Sequence, residues 1–370
     1  MERIKGKPDY FLLGTVLILV ALGIIILASV SAPLSQENFN NTYYFLNHQL
    51  LFGLLLGLIL GFFAFKIRLD LLKKLAPVLI LLNLIMLAMV FLPKIGAGAG
   101  GASRWLTIGP FSLQPSEFLK ITFILYLAAW LSSRTEKNIL EKTKGAFNQT
   151  FIVFLIVMSL VSLLLVFQPD ISTLGIIAIV AVIMYFISNT PLWQTFSIIL
   201  IGITTLFTLI KLAPYRLNRI AVFFNSGIDP MGIGFQIKQA LITIGSGGLA
   251  GLGLGMSHLQ LSFLPESISD SIFAIMAKEM GFIGSFILIA LFLIFLWRGF
   301  KIGKTSQDKF SQLTAIGISS WIVIQAFINI GSMIEILPLT GIPLPFIGYG
   351  GSALVTELIG VGILLNISKQ

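Results

Sequence analysis

Long uninterrupted apolar stretches, rather than alternation or amphipathic stripes, dominate this 370-residue chain. About 20 apolar residues span the hydrocarbon layer as a helix. Ten runs approach that length: 10–30, 45–65, 75–92, 115–131, 149–167, 171–188, 193–212, 271–297, 312–336 and 352–367. The pattern predicts an all-α polytopic membrane protein with about ten transmembrane helices, each satisfying its own backbone polar groups. The fifth and sixth runs are separated only by "QPD", a sharp turn in which Pro169 cannot continue a helix. The first run is too long for a signal-peptide core and lacks a small-residue cleavage site, so it reads as a retained helix. With no fixed-period repeat and no low-complexity tract, residues 1–370 read as a single membrane domain.

Charge adds an orientation. Hydrophobic residues make up 56% of the chain and charged ones 11%, with a net charge of +9. That excess does not point to nucleic acid, because the basic residues sit between apolar runs. Arg3, Lys5 and Lys7 precede the first run, Lys66, Arg68, Lys73 and Lys74 follow the second, and further basic groups follow the fourth and eighth. The connection after the first run, "SAPLSQENFNNTYY", has no Lys or Arg. Basic connections stay on the cytoplasmic side, so both termini are expected in the cytoplasm. The connections 93–114, 213–270 and 337–351 then face outward. The second is too long for a passive link, and its "IKQALITIG" can form a helix on or in the membrane surface. The absence of Cys excludes disulfides, thiolate metal sites and cysteine nucleophiles.

The outward connections hold the chemistry-bearing residues. In 101–121, Arg104 is a fixed cation, followed by Gln114, Glu117 and Lys120. Glu117 and Lys120 are three apart, on one helix face, where they can pair. An interfacial anchor and a polar site both fit. In 215–255, Arg216, Arg219 and Lys238 put positive charge where the inside rule does not ask for it. Contact with anionic headgroups and a pyrophosphate site are equally open readings. Residues 245–250 match a GxGxxA dinucleotide fingerprint, but no strand, βαβ unit or ribose-binding acid accompanies it. Glycines that allow close backbone approach explain it better, and their N–H groups can also cradle a phosphate.

"FLPESISDSIFAIMAKEMG" (263–281) gathers Glu266, Asp270 and Glu279. A helical N-cap accounts for one carboxylate and leaves the others unexplained. Crowded carboxylates suit a general acid or base. Asp170, Glu335 and Glu357 are further charges in apolar surroundings, each either tying helices together or functional. Three prolines and four glycines make 338–357 irregular backbone that must be buried in protein or line a cavity.

Five strings in order resemble the SEDS family (shape, elongation, division and sporulation), the FtsW, RodA and SpoVE proteins. They are "RWLTIGPFSLQPSEFLK", "FQPDISTLGI", "DPMGIGFQIKQALITIGSGGLAGLGLG", "FLPESISDSIFAIMAKEMGFIG" and "LPLTGIPLPFIGYGGSAL". The resemblance covers nearly the whole chain, and "GLGLGMSHLQLSFLPE" and "QAFINIG" are closer to FtsW than to RodA. It departs from the family around the aspartate, where Ile268, Ser269 and Ser271 replace the usual His-like, Thr and Phe residues.

The resemblance implies a peptidoglycan glycosyltransferase that polymerises lipid II into β-1,4 glycan strands for division or cell shape. Asp270 aligns with the family's catalytic aspartate. Arg104, Gln114, Glu117, Lys120, Arg216, Arg219, Lys238, Glu266 and Glu279 are the expected substrate-binding set. No cofactor is required by the sequence, and the reaction leaves room for a divalent cation, Mg or Mn. The implied partners are lipid II, undecaprenyl-pyrophosphate-linked glycan, a class B penicillin-binding protein and other divisome or elongasome membrane proteins, with no nucleic acid. Two other classes stay open: a lipid II flippase using Asp170, Glu335 and Glu357, and an inactive division scaffold.

Overall fold

The computed structural model describes residues 6–92, 96–99, 102–108, 111–138, 149–230, 232–255 and 268–370. Every predicted run contains helix. The first seven are α1 (Tyr10–Phe39), α2 (Tyr44–Lys66), α3 (Leu69–Met89), α4 (Pro115–Asn138), α5 (Gln149–Phe167), α6 (Ile171–Ile187) and α7 (Leu192–Lys211). The long connection contributes α8 (Pro214–Phe224) and α9 (Ile233–Ser246), the latter containing the predicted "IKQALITIG" helix. Then come α10 (Ile272–Thr305), α11 (Lys309–Met333) and α12 (Gly351–Ile367). Among the described residues, seven helices are long and apolar enough to cross a membrane, while α6 and α12 are apolar but shorter. The chain is a multi-pass helical membrane protein.

The all-α expectation needs one correction. The connection 93–114 carries a small antiparallel sheet, β1 (Gly96–Ala99), β2 (Ala102–Ile108) and β3 (Phe111–Leu113), with Leu106 paired to both Gly96 and Leu113. Trp105, Leu106, Thr107 and Ile108 are strand formers, and the short flanking strands complete the ladder.

Local signals set the helix starts. Asp9 caps α1 by accepting the Leu12 N–H at 2.9 Å, and Asp308 caps α11 through Ser311 at 2.9 Å. Asp170 likewise caps α6, accepting the Thr173 N–H at 3.2 Å. α11 is the central helix, with 83% of its apolar window buried, so its polar side chains face protein rather than lipid. α2 lies against α12 through Gly57 and Gly61, spaced four apart. A Cβ on Gly61 would overlap the Leu358 carbonyl, and one on Gly362 would overlap Gly61. Small residues at this spacing let two backbones touch in a membrane.

α10 is not straight: Gly281 has φ 68° and ψ −167° inside it. A break of this kind frees carbonyls before it and N–H groups after it. The glycine-rich segment after α9 takes up both. Leu252 and Gly253 N–H groups donate to Lys278 and Glu279 carbonyls at 3.0 and 3.1 Å, and Phe282 and Ile283 N–H groups donate to Gly248 and Leu249 carbonyls at 2.9 and 3.2 Å. Close backbone approach therefore explains these glycines. The N–H groups of Leu252 and Gly253 are committed to the kink, not to a phosphate.

The ends of the bundle differ. At one end the termini meet, with the Gly6 N–H on the Lys369 carbonyl at 2.9 Å and Arg298 paired to Asp9. At the other end lie the starts of α4, α6, α10 and α12, the sheet, and the segment between α11 and α12.

Candidate active site

Asp270 sits in the turn that opens α10, and that turn is held from three sides. The Ile268 carbonyl accepts the Tyr349 N–H at 2.8 Å. Asn329 on α11 donates one Nδ2 hydrogen to the Asp270 carbonyl at 2.8 Å and the other to the Ile342 carbonyl at 2.7 Å. Gln236 on α9 donates to the Ser271 hydroxyl at 3.2 Å. Gly341, with φ 71°, lies beside the carboxylate; a Cβ there would stand 3.3 Å from Oδ2. The absence of a side chain at Gly341 keeps this face of Asp270 open.

Two arginines share its surroundings. Arg219 on α8 donates to the Leu339 carbonyl at 3.3 Å and is half-buried. Burial pulls its guanidinium below the ordinary arginine range; Tyr215 and Asp270 oppose that shift and the neighbouring Arg104 adds to it. Asp270, Arg219 and Arg104 thus form one electrostatic cluster. Arg104 on β2 is oriented by the α5–α6 turn, donating from Nε to the Gln168 carbonyl at 3.1 Å and from Nη2 to that of Pro169 at 2.6 Å. A guanidinium carries five donors, so these bonds fix each arginine without using up its hydrogen-bonding capacity.

The other expected residues divide. Arg216 turns back to the end of α7, donating to the Leu209 carbonyl at 2.7 Å and to the Tyr215 hydroxyl at 2.8 Å. That contact satisfies a terminal helix carbonyl. Lys238 is exposed on α9, two residues on from Gln236 and so on the opposite side of that helix. Gln114 fastens the sheet to α12 through its N–H on the Ser352 hydroxyl at 3.1 Å. Glu279 is buried before the α10 kink, its Oε1 accepting from Ser29 at 2.8 Å and from the Gly255 N–H at 3.1 Å. Glu266 lies outside the described residues.

Beneath the cluster is a buried polar layer. Lys120, 1% exposed, pairs with Glu117 at 2.7 Å, donates to Gln325 at 2.7 Å and lies 5.2 Å from the Trp321 ring centre. Gln325 also donates to the Pro343 carbonyl at 3.1 Å, and Glu357 accepts the Phe346 N–H at 2.8 Å. The ammonium is enclosed by its partners rather than presented at the surface. This layer grips the proline- and glycine-rich segment that carries Gly341. Asp170 and Glu357, candidates for a path in the flippase alternative, cap a helix and hold a loop.

Gln325, Asn329 and Gln236 were not singled out from the sequence. Gln325 and Asn329 are four apart in an apolar run, and two polar residues on one face of a buried helix were the available signal. Tyr349 is fixed by its hydroxyl against His48 Nδ1 at 3.0 Å, and burial pushes its phenol up to about 12. Among the described residues, no three His, Asp or Glu side chains gather as a metal cage requires.

Residues 10–370 match a family described as cell cycle protein, comprising FtsW, RodA and SpoVE. Stage V sporulation protein E of Bacillus subtilis (strain 168) is 37% identical, over 100% of this chain and 99% of its own length. A probable peptidoglycan glycosyltransferase FtsW of Nitrosococcus halophilus is 35% identical over 98% and 93%. Among solved structures, the rod shape determining protein RodA of Thermus thermophilus matches with a TM-score of 0.71 at 26% identity, covering 98% of this chain and 96% of that one. A chain solved in a peptidoglycan synthase complex shares the fold with a TM-score of 0.77 at 24% identity, covering 98% and 97%.

Proposed function

Because the chain belongs to the FtsW, RodA and SpoVE family of cell cycle proteins, we propose that the Asp270 cluster is the active site of a peptidoglycan glycosyltransferase that joins lipid II units into β-1,4 glycan strands. The convergence of one carboxylate and two oriented guanidiniums at a single end of the bundle carries this reading. About ten helices cross the cytoplasmic membrane with both termini in the cytoplasm, so the 213–270 connection and the Asp270 cluster face outward. The basic residues at the end where the termini meet support that orientation.

The reaction is an inverting substitution. Asp270 takes the proton from the C4 hydroxyl of the acceptor sugar as that oxygen attacks the anomeric carbon of the donor. The bond to the undecaprenyl pyrophosphate breaks, and its growing negative charge falls to Arg219 and Arg104. A divalent ion would add charge at the pyrophosphate, but the described side chains do not by themselves form a cage for one, and no step is assigned to it. Asn329, Gln325 and the Glu117–Lys120 pair act from beneath as positioning residues. Lys238, exposed on α9, and Glu266 are proposed as further contacts to the substrate. A class B penicillin-binding protein is the proposed partner that cross-links the strands; the shared fold with a chain of a peptidoglycan synthase complex supports a paired arrangement.

The arginines test this geometry, because the sequence treats them alike and the fold separates them. With lipid II as the only substrate, Arg219→Ala is expected to slow strand synthesis about 100-fold or more, the cost of removing one donor to developing charge. Arg216→Ala, which removes a helix-end contact, should leave the rate nearly unchanged. Equal rates for the two variants in a gel-based polymerisation assay would remove Arg219 from the site.

A further inference from the structure

Away from the Asp270 cluster, where the start of α1 meets the end of α10, there is a cavity of about 300 Å³. Lys7, Asp9, Arg298, Lys301, Thr305 and Ser368 supply its polar lining. Three cations thus face one carboxylate, and that carboxylate is already engaged. Asp9 Oδ1 accepts the Leu12 N–H at 2.9 Å and Oδ2 pairs with Arg298. Lys7 and Lys301 have no carboxylate partner among the described residues. Arg298 Nε is buried without a hydrogen-bond partner there. The negative end of α10 is blunted, because the Thr305 and Ser306 hydroxyls donate to the carbonyls of Lys301 and Gly303 at 3.0 and 2.7 Å. The cavity is therefore electropositive and short of acceptors.

Its rim is aromatic. Arg298 lies 5.2 Å from the Phe11 ring centre and 5.3 Å from that of Trp297, and Lys301 lies 5.7 Å from Trp297. Phe11 and Trp297 are more than half exposed where the apolar runs of α1 and α10 end, the level at which aromatic residues meet lipid headgroups. A volume near the lower limit of small-molecule sites suits a phosphodiester headgroup better than a nucleotide.

We propose that this cavity binds the phosphate of an anionic glycerophospholipid, with Lys7, Arg298 and Lys301 around the anion and Phe11 and Trp297 against the glycerol and upper acyl chain. The occupant bridges α1 and α10, the helices that also meet at Ser29 and Glu279. A basic pocket between helices is a recognised form of headgroup site.

The test uses the full chain, delipidated in neutral detergent, with binding read by native mass spectrometry. The probes are dioleoylphosphatidylglycerol, dioleoylphosphatidylcholine and inorganic phosphate. Phosphatidylglycerol is expected to bind in preference to phosphatidylcholine. Lys7→Ala/Lys301→Ala should weaken it about thirtyfold, the effect of two basic groups near an anionic headgroup. Lys73→Ala/Lys74→Ala, at a separate basic patch, should not. Equal losses in both double variants would mean diffuse attraction and overturn the site, and inorganic phosphate binding as well as the lipid would overturn the lipid assignment. Should the variants fail to fold, a photoactivatable phosphatidylglycerol on the unaltered protein decides. Cross-links on 7–11 and 297–305 support the site, and cross-links spread evenly over the basic helix ends overturn it.

Discussion

Asp270→Asn is expected to abolish detectable strand synthesis, a loss of roughly 100- to 10,000-fold for removing a general base. The substitution keeps size and shape but removes the site that accepts the proton. It should leave the fold intact, because Asn is nearly isosteric with Asp and the bonds from Asn329 to the carbonyl of residue 270 and from the Tyr349 N–H to that of Ile268 are kept. The expected variant therefore melts like the unaltered protein, still binds lipid II and makes no glycan. An active Asp270→Asn protein would show that the proton leaves by another route.

Lys120→Met has the largest expected effect on stability. The pair with Glu117 is enclosed, with Lys120 1% and Glu117 3% exposed. Removing one member of a buried ion pair leaves an uncompensated charge, at a cost of about 3–5 kcal/mol. Met preserves most of the volume, so packing is a smaller contribution. Gln325 retains the Trp321 indole N–H at 3.0 Å, which places the damage at Glu117. The apparent melting midpoint in detergent should fall sharply in the single variant. It should recover in Lys120→Met/Glu117→Gln, since replacing both charges removes the burial problem. An unshifted midpoint in the single variant would mean that the two groups are not coupled as the structure shows.

The helices were legible because apolar run length is a direct consequence of membrane thickness, and the ten runs all contain helix. The sheet was not, because "GAGAGGASRWLTIGPFSL" has glycine and alanine where a strand would show alternation. Nor was the α10 kink: 271–297 reads as one continuous run, and the break shows only in the Gly281 backbone angles and in the bonds that the segment after α9 makes to the groups it frees. Within the site, the Glu117–Lys120 pair followed from spacing, while its depth in the core did not. Arg216 and Arg219 are three residues apart and chemically identical. Which one faces Asp270 depends on how α8 lies against the segment after α11, a tertiary fact. The unusual residues around the aspartate also acquire roles. Ile268 contributes its carbonyl, which any side chain would allow, and Ser271 contributes a hydroxyl to Gln236.

The central claim is that chemistry, rather than transport, takes place at one end of the bundle. It is tested most directly by reconstituting the full chain in liposomes, with and without a class B penicillin-binding protein, and supplying labelled lipid II to the leaflet facing Asp270. The account predicts glycan strands with no movement of lipid II across the bilayer. Labelled lipid II crossing the membrane while no strand forms in either preparation would contradict it.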